Sequence, residues 1–205
     1  MRPTLACSFL GAIALGASVN GAHAQSSTTA TFEDWVARCN MVRPAGAPQD
    51  SAPVKACEMA STIRVQIPES KNAAGQTVPA RTGVLAQIVA GRPVPPAGQE
   101  GDGKIRFVFQ LPLTAFLREP VKMTFASTKE GLDGAQDAMT ITATYFSCNA
   151  RFCLADALLE PKTVETFLTA QVAQLTFTTN AGGERQIKAA VSMRGFSAAY
   201  VDITK

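Results

Sequence analysis

Histidine is almost missing from this chain. One stands in 205 residues, at position 23, within a segment that reads as a leader. Beyond that segment there is no long apolar run and no strong excess of one charge, since 19 basic residues face 16 acidic ones. Tryptophan occurs once and tyrosine twice. Each shortage excludes something. Without histidine there is no Ser-His-Asp or Cys-His catalysis and no imidazole-ligated metal. Without a clustered basic face and interleaved aromatics there is no case for nucleic acid. Without about 20 apolar residues in a row, the chain after the leader has no membrane-spanning helix. No glycine-rich phosphate loop precedes a helix either. Gly101 and Gly103 flank Asp102 just before a strand, which is loop chemistry.

What is there begins with the leader. Arg2 is the only charge in residues 1–24, residues 5–19 are uncharged and largely apolar, and Ala22-His23-Ala24 presents small residues at a cleavage site. That three-part pattern is a secretory signal peptide. Cys7 lies inside the apolar run, not at the cleavage point where a lipid-anchored protein needs it. Removing 24 of 205 residues leaves 181, lowers the formal charge from +3 to +2, and takes away His23 and one of the five cysteines. Residues 25–31 read as a flexible tail. Residues 32–205 are expected to form a single domain, long enough to bury a full core.

Four cysteines in an exported chain read as two disulfides. Cys39, Cys57, Cys148 and Cys153 allow three pairings. The two local ones, Cys39 with Cys57 and Cys148 with Cys153, are favoured because each pair flanks a turn. In the chain-entropy account they contribute about 3 and about 2 kcal/mol. Four residues separate Cys148 from Cys153, where a thioredoxin-like site has two. A zinc site has neither histidine nor CxxC spacing to draw on. Glu33 and Asp34 are adjacent and read as a solvated strand start. Glu130, Asp133 and Asp137 surround a turn without the spacing of a calcium loop. No catalytic residue, cofactor site or metal site is therefore expected, and the four cysteines are the singled-out positions.

Alternation of apolar and polar residues predicts strands over 56–67, 83–90, 104–111, 121–126, 139–147, 172–179 and 186–193. The clearest is 104–111, with Ile105, Phe107 and Phe109 on one face. Asn180-Ala181-Gly182-Gly183 predicts a hairpin turn between the last two strands. Residues 43–53, 68–79 and 91–103 read as loops. Residues 156–170 are the one helical candidate, with Pro161 fit for a first turn. Residues 195–203 close the chain as a short helix or a last strand. The expected fold is mainly β: an antiparallel β-sandwich or barrel-like domain with one short helix.

Several landmarks fall together. Trp35 and Cys39 open the domain, Cys57-Glu58-Met59 follows, and Phe109-Gln110-Leu111-Pro112-Leu113 stands mid-chain. Phe146-Ser147-Cys148, Cys153-Leu154-Ala155 and Val191-Ser192-Met193-Arg194-Gly195-Phe196-Ser197-Ala198-Ala199 complete the set. In this combination the sequence resembles the invasion-associated locus B family of exported bacterial proteins. The resemblance implies an α-proteobacterial protein of the periplasm or envelope. The named member of that family is linked to invasion of red blood cells, and most members have no assigned biochemical activity. The chain departs from the family at Thr114, where glycine is usual, and in the Pro/Gly-rich stretch 91–103, which looks like an insertion.

Three functions compete. The first is a non-catalytic domain that binds an unknown envelope or host-surface component. The second is a periplasmic folding or stress factor. The third is a carboxylate-based wall-polymer hydrolase, which requires a pocket with convergent acids.

Overall fold

The computed structural model describes residues 27–133 and 138–205. The predicted leader and the start of the predicted tail lie outside the described residues. So do Asp137 and the side chains of Glu130 and Asp133.

The chain forms β1 (Thr28–Phe32), β2 (Trp35–Val42), β3 (Val54–Ile67), β4 (Ser70–Lys71), β5 (Thr77–Val78), β6 (Arg81–Gly91), β7 (Ile105–Leu111) and β8 (Val121–Ala126). After a single 3-10 turn come β9 (Met139–Cys148), β10 (Cys153–Leu159), helix α1 (Pro161–Phe167), β11 (Val172–Thr179), β12 (Arg185–Ser192) and helix α2 (Phe196–Thr204). Ten strands make one sheet in the order β1-β2-β3-β6-β7-β10-β9-β8-β11-β12, with every neighbouring pair antiparallel. The sheet is not closed into a barrel, because β12 does not pair with β1 or β2. It curls instead around one core that draws on both halves, from Trp35, Met59 and Ile88 to Phe125, Phe177 and Val191.

The expected antiparallel β class is observed, and alternation is its cause. In β7 the side chains of Ile105, Phe107, Phe109 and Leu111 are buried, while Arg106, Val108 and Gln110 stand on the other face. Val121, Met123 and Phe125 of β8 do the same from across the core. The turn at residues 180–183 forms as its glycines require: Gly182 and Gly183 have φ of 72° and 109°.

Three local expectations need correction. Residues 28–31 are not tail but strand β1, because Thr28–Phe32 pairs along β2 from Cys39 to Trp35. Residues 156–159 belong to β10 and not to a helix. Ala155 faces the core and Asp156 pairs opposite Val108, so the strand period prevails until Pro161 opens α1. The loop at 68–79 contains the small β4–β5 hairpin. The C-terminal segment resolves as a second helix, α2, which buries Phe196, Ala199, Tyr200 and Ile203 against β1, β2 and β3.

Candidate functional site

Both disulfides join directly opposed residues of neighbouring strands. Cys39 of β2 faces Cys57 of β3, and Cys148 of β9 faces Cys153 of β10, each pair with Cα atoms 4.0 Å apart. Such separations belong to the narrow type of antiparallel pair, where side chains come closest. The short link between Cys148 and Cys153 is ordered by Asn149. Its Oδ1 accepts from the backbone N–H groups of Arg151 and Phe152 at 2.8 and 3.1 Å. These four thiols are consumed in bonds. Among the described residues no group of three or more His, Cys, Asp or Glu side chains is placed to hold a metal ion.

The strand aromatics divide into a buried majority and one exposed ring. Trp35, Phe107, Phe109 and Phe125 are fully buried, and Tyr145 is half-buried with its hydroxyl in the interior and no hydrogen-bond partner among the described residues. Burial pushes the Tyr145 hydroxyl up to about 12. Phe146 is the exception, half exposed on the outer face. The Arg106 guanidinium lies 5.0 Å from its ring centre and is held there by Asp156 at 2.6 Å.

Where the two ends of the sheet meet, residues from distant parts of the chain lock together. Trp35 Nε1 donates to the Ser192 carbonyl at 2.8 Å, and Ser192 Oγ donates to Asp34 at 2.6 Å. Arg194 donates to Glu33 at 2.6 Å, and that contact, together with the nearby Asp34 charge, raises the guanidinium above its ordinary value. Gly195 adopts φ of 81°, and a Cβ there would run into the Phe32 carbonyl. Phe196 then packs edge-on against Trp35 at 5.0 Å and reaches Phe125 at 6.2 Å, while Phe125 stacks on Phe167 at 4.2 Å. Glu33 and Asp34, expected at the start of a strand, form the two-residue turn between β1 and β2. Glu33 is the one non-glycine with positive φ among the described residues, at 52°.

Beyond this junction the margins separate. A cleft of about 530 Å³ opens between them, lined by Glu33, Asp34, Val36 and Arg38 on one side of the junction, residues 60–64 of β3, Gln87, and Ala190 with Ser192 of β12. The two carboxylates predicted as solvated do stand in solvent, and each is held by its own partner. Neither occupies the dry surroundings that make a carboxyl a general acid. Nothing in the local sequence marks Arg64 or Ala190 as neighbours of a cleft. The only legible sign is the alternation of Gln186, Lys188, Ala190 and Ser192 with Ile187, Ala189 and Val191, which puts the first set outside.

Fold and junction together define an all-antiparallel β domain stapled by two local disulfides and sealed at its sheet margin by a C-terminal Arg-Gly-Phe segment. Comparison agrees on what kind of domain this is. The chain belongs to the invasion associated locus B (IalB) family, whose family model matches residues 35–204, from the first residue of β2 to the last of α2. The structure is similar to the crystal structure of invasion associated protein B from Bartonella henselae, with a TM-score of 0.53 and 17% sequence identity over 86% of this chain and 95% of that one. At that identity the likeness speaks for the fold. No curated protein matches the chain.

Proposed function

We propose that this chain is exported and acts in the cell envelope as a non-catalytic binding protein. The observation that carries the reading is membership in the invasion associated locus B family over residues 35–204. Two features support it. The leader at residues 1–24 has the form of a cleavable export signal. Two disulfides suit an oxidising compartment and are rare in a reducing one.

Expression of the full chain, followed by fractionation and intact-mass measurement, tests the address. The expected product is periplasmic, lacks residues 1–24, and carries two disulfides. A cytoplasmic, uncleaved product overturns export. The purified domain is then titrated onto isolated envelopes and onto host-cell surfaces. Saturable retention on one of them is expected, and absence of retention on both overturns the binding role.

A further inference from the structure

Strand β3 is longer than its neighbour. Its pairing with β2 stops at Val36 opposite Ala60, whereas its pairing with β6 continues to Ile67 opposite Arg81. Residues 61–67 therefore have one edge free among the described residues. Among the described residues strand β12 pairs only with β11, so its other edge is free as well. These two free edges face one another across the 530 Å³ cleft, since residues 61–64 and Ala190 with Ser192 line it together. Every second residue along such an edge directs its N–H and C=O away from the sheet. Two unpaired edges bordering one cleft form a template for an added strand.

The charges say what kind of strand. Glu33 is taken by Arg194, Asp34 by Ser192, and Arg38 by Glu58 at 2.8 Å. Arg64 is exposed and has no ion pair among the described residues. Lys188, two positions beyond Ala190 on the same face of β12, and Arg185 at its start are likewise exposed and unpaired. The cleft is thus neutralised at its sealed end, Arg64 is the unpaired charge among its lining residues, and β12 runs on from Ala190 past the cleft to the exposed cations Lys188 and Arg185. The walls near Ala60 and Ala190 carry small side chains, which lets a backbone approach.

We propose that the cleft between residues 61–67 and β12 accepts an extended, acidic segment of a partner protein as an added strand. The proposal rests on the binding role above and gives it a place and a ligand class. A second copy of this chain is a poor occupant. Its free edges among the described residues, β1, residues 61–67 of β3 and β12, carry no acidic residue.

The test uses the disulfide-bonded domain, residues 25–205, and labelled octapeptides, matching the 8 residues of β12. One alternates valine and glutamate, one alternates valine and lysine, and one is the glutamate peptide N-methylated at every second residue. Fluorescence anisotropy is expected to show binding of the glutamate peptide. The lysine and N-methylated peptides should bind at least about tenfold more weakly. Arg64→Glu and Lys188→Glu should each weaken the glutamate peptide by about tenfold at low salt. Ala190→Trp, which fills the cleft from an exposed position, should abolish binding with the melting temperature unchanged. Equal binding of the lysine or N-methylated peptide, full binding by Ala190→Trp, or no binding at all overturns the proposal. So does sedimentation as a dimer that Ala190→Trp dissolves, because the cleft then belongs to a second copy. Loss of peptide binding with envelope retention intact removes this site alone. Loss of envelope retention with peptide binding intact removes the envelope role alone.

Discussion

The two stretches of sheet margin solve the same problem in opposite ways. A strand edge exposes N–H and C=O groups that want partners. At the sealed end Trp35 Nε1 meets one such group, the Ser192 carbonyl, while the Arg194–Glu33 side-chain pair and the close fit of Gly195 on Phe32 hold the margins together. Further along, residues 61–64 and Ala190 with Ser192 border an open cleft whose unpaired charge is Arg64. The difference shows that closing a curled sheet does not require a last ladder of backbone hydrogen bonds. One short segment with the right glycine fixes the geometry, and the rest of the seam is free for another use.

The largest effect is expected from breaking the seal. Gly195→Ala must place a Cβ at the Phe32 carbonyl in a left-handed conformation, and urea unfolding should show a loss of at least about 3 kcal/mol. Gly182→Ala is the control, since it has a similar φ of 72° but no neighbouring atom within 4 Å. It should cost about 1 kcal/mol. A loss at Gly182 equal to that at Gly195 would show that conformation, not contact, makes the seal.

The staples come next. Cys39→Ser should lower stability by about 3 kcal/mol and Cys148→Ser by about 2, as the larger loop restrains the unfolded chain more. Thermal melting without reductant checks the order, and reductant should abolish the differences. Tyr145→Phe works the other way. It removes a buried hydroxyl that has no partner, so a gain of about 1 kcal/mol is expected. It should also change the alkaline limb. With the folded group raised to about 12 against an ordinary 10.0, the unfolded chain releases its proton first. The stability tied to Tyr145 is complete below pH 10 and is lost as pH rises through about 12, and the variant should lack that part of the slope. Tyr200, also raised by burial, supplies a further part. The smallest effect belongs to the open margin. Ala190→Trp should alter unfolding by no more than about 0.5 kcal/mol, and a larger loss would mean that the cleft is part of the core.

Much of the fold was legible because burial on one face writes a period of two into the strands. β7, β8 and β11 were readable almost to the residue, and so was the 180–183 turn. The start of α1 was misplaced because Leu158 and Leu159 suit a helix stripe and a strand equally, and only the pairing of Ala157 with Phe107 decides. β1 was hidden in a polar Thr-rich stretch whose order comes from the partner strand, not from its own burial. The disulfides followed from local spacing. The cleft did not, because it is created by where β2 stops along β3 and by a meeting of residues about 130 positions apart, such as Ser61 and Ser192. The segment 191–199 was visible as a family signature, but its role as a seal depends on Phe32 and Trp35 at the other end of the domain.

The connectivity of the bridges has a consequence for biogenesis. Each joins cysteines that follow one another in the chain, 39 with 57 and 148 with 153. An oxidase that links thiols in order of their emergence would therefore make the native set at once. The first hairpin would be locked before Trp35 meets Phe196, which follows Cys57 by 196 − 57 = 139 positions. Proofreading of mispaired bridges should therefore matter little.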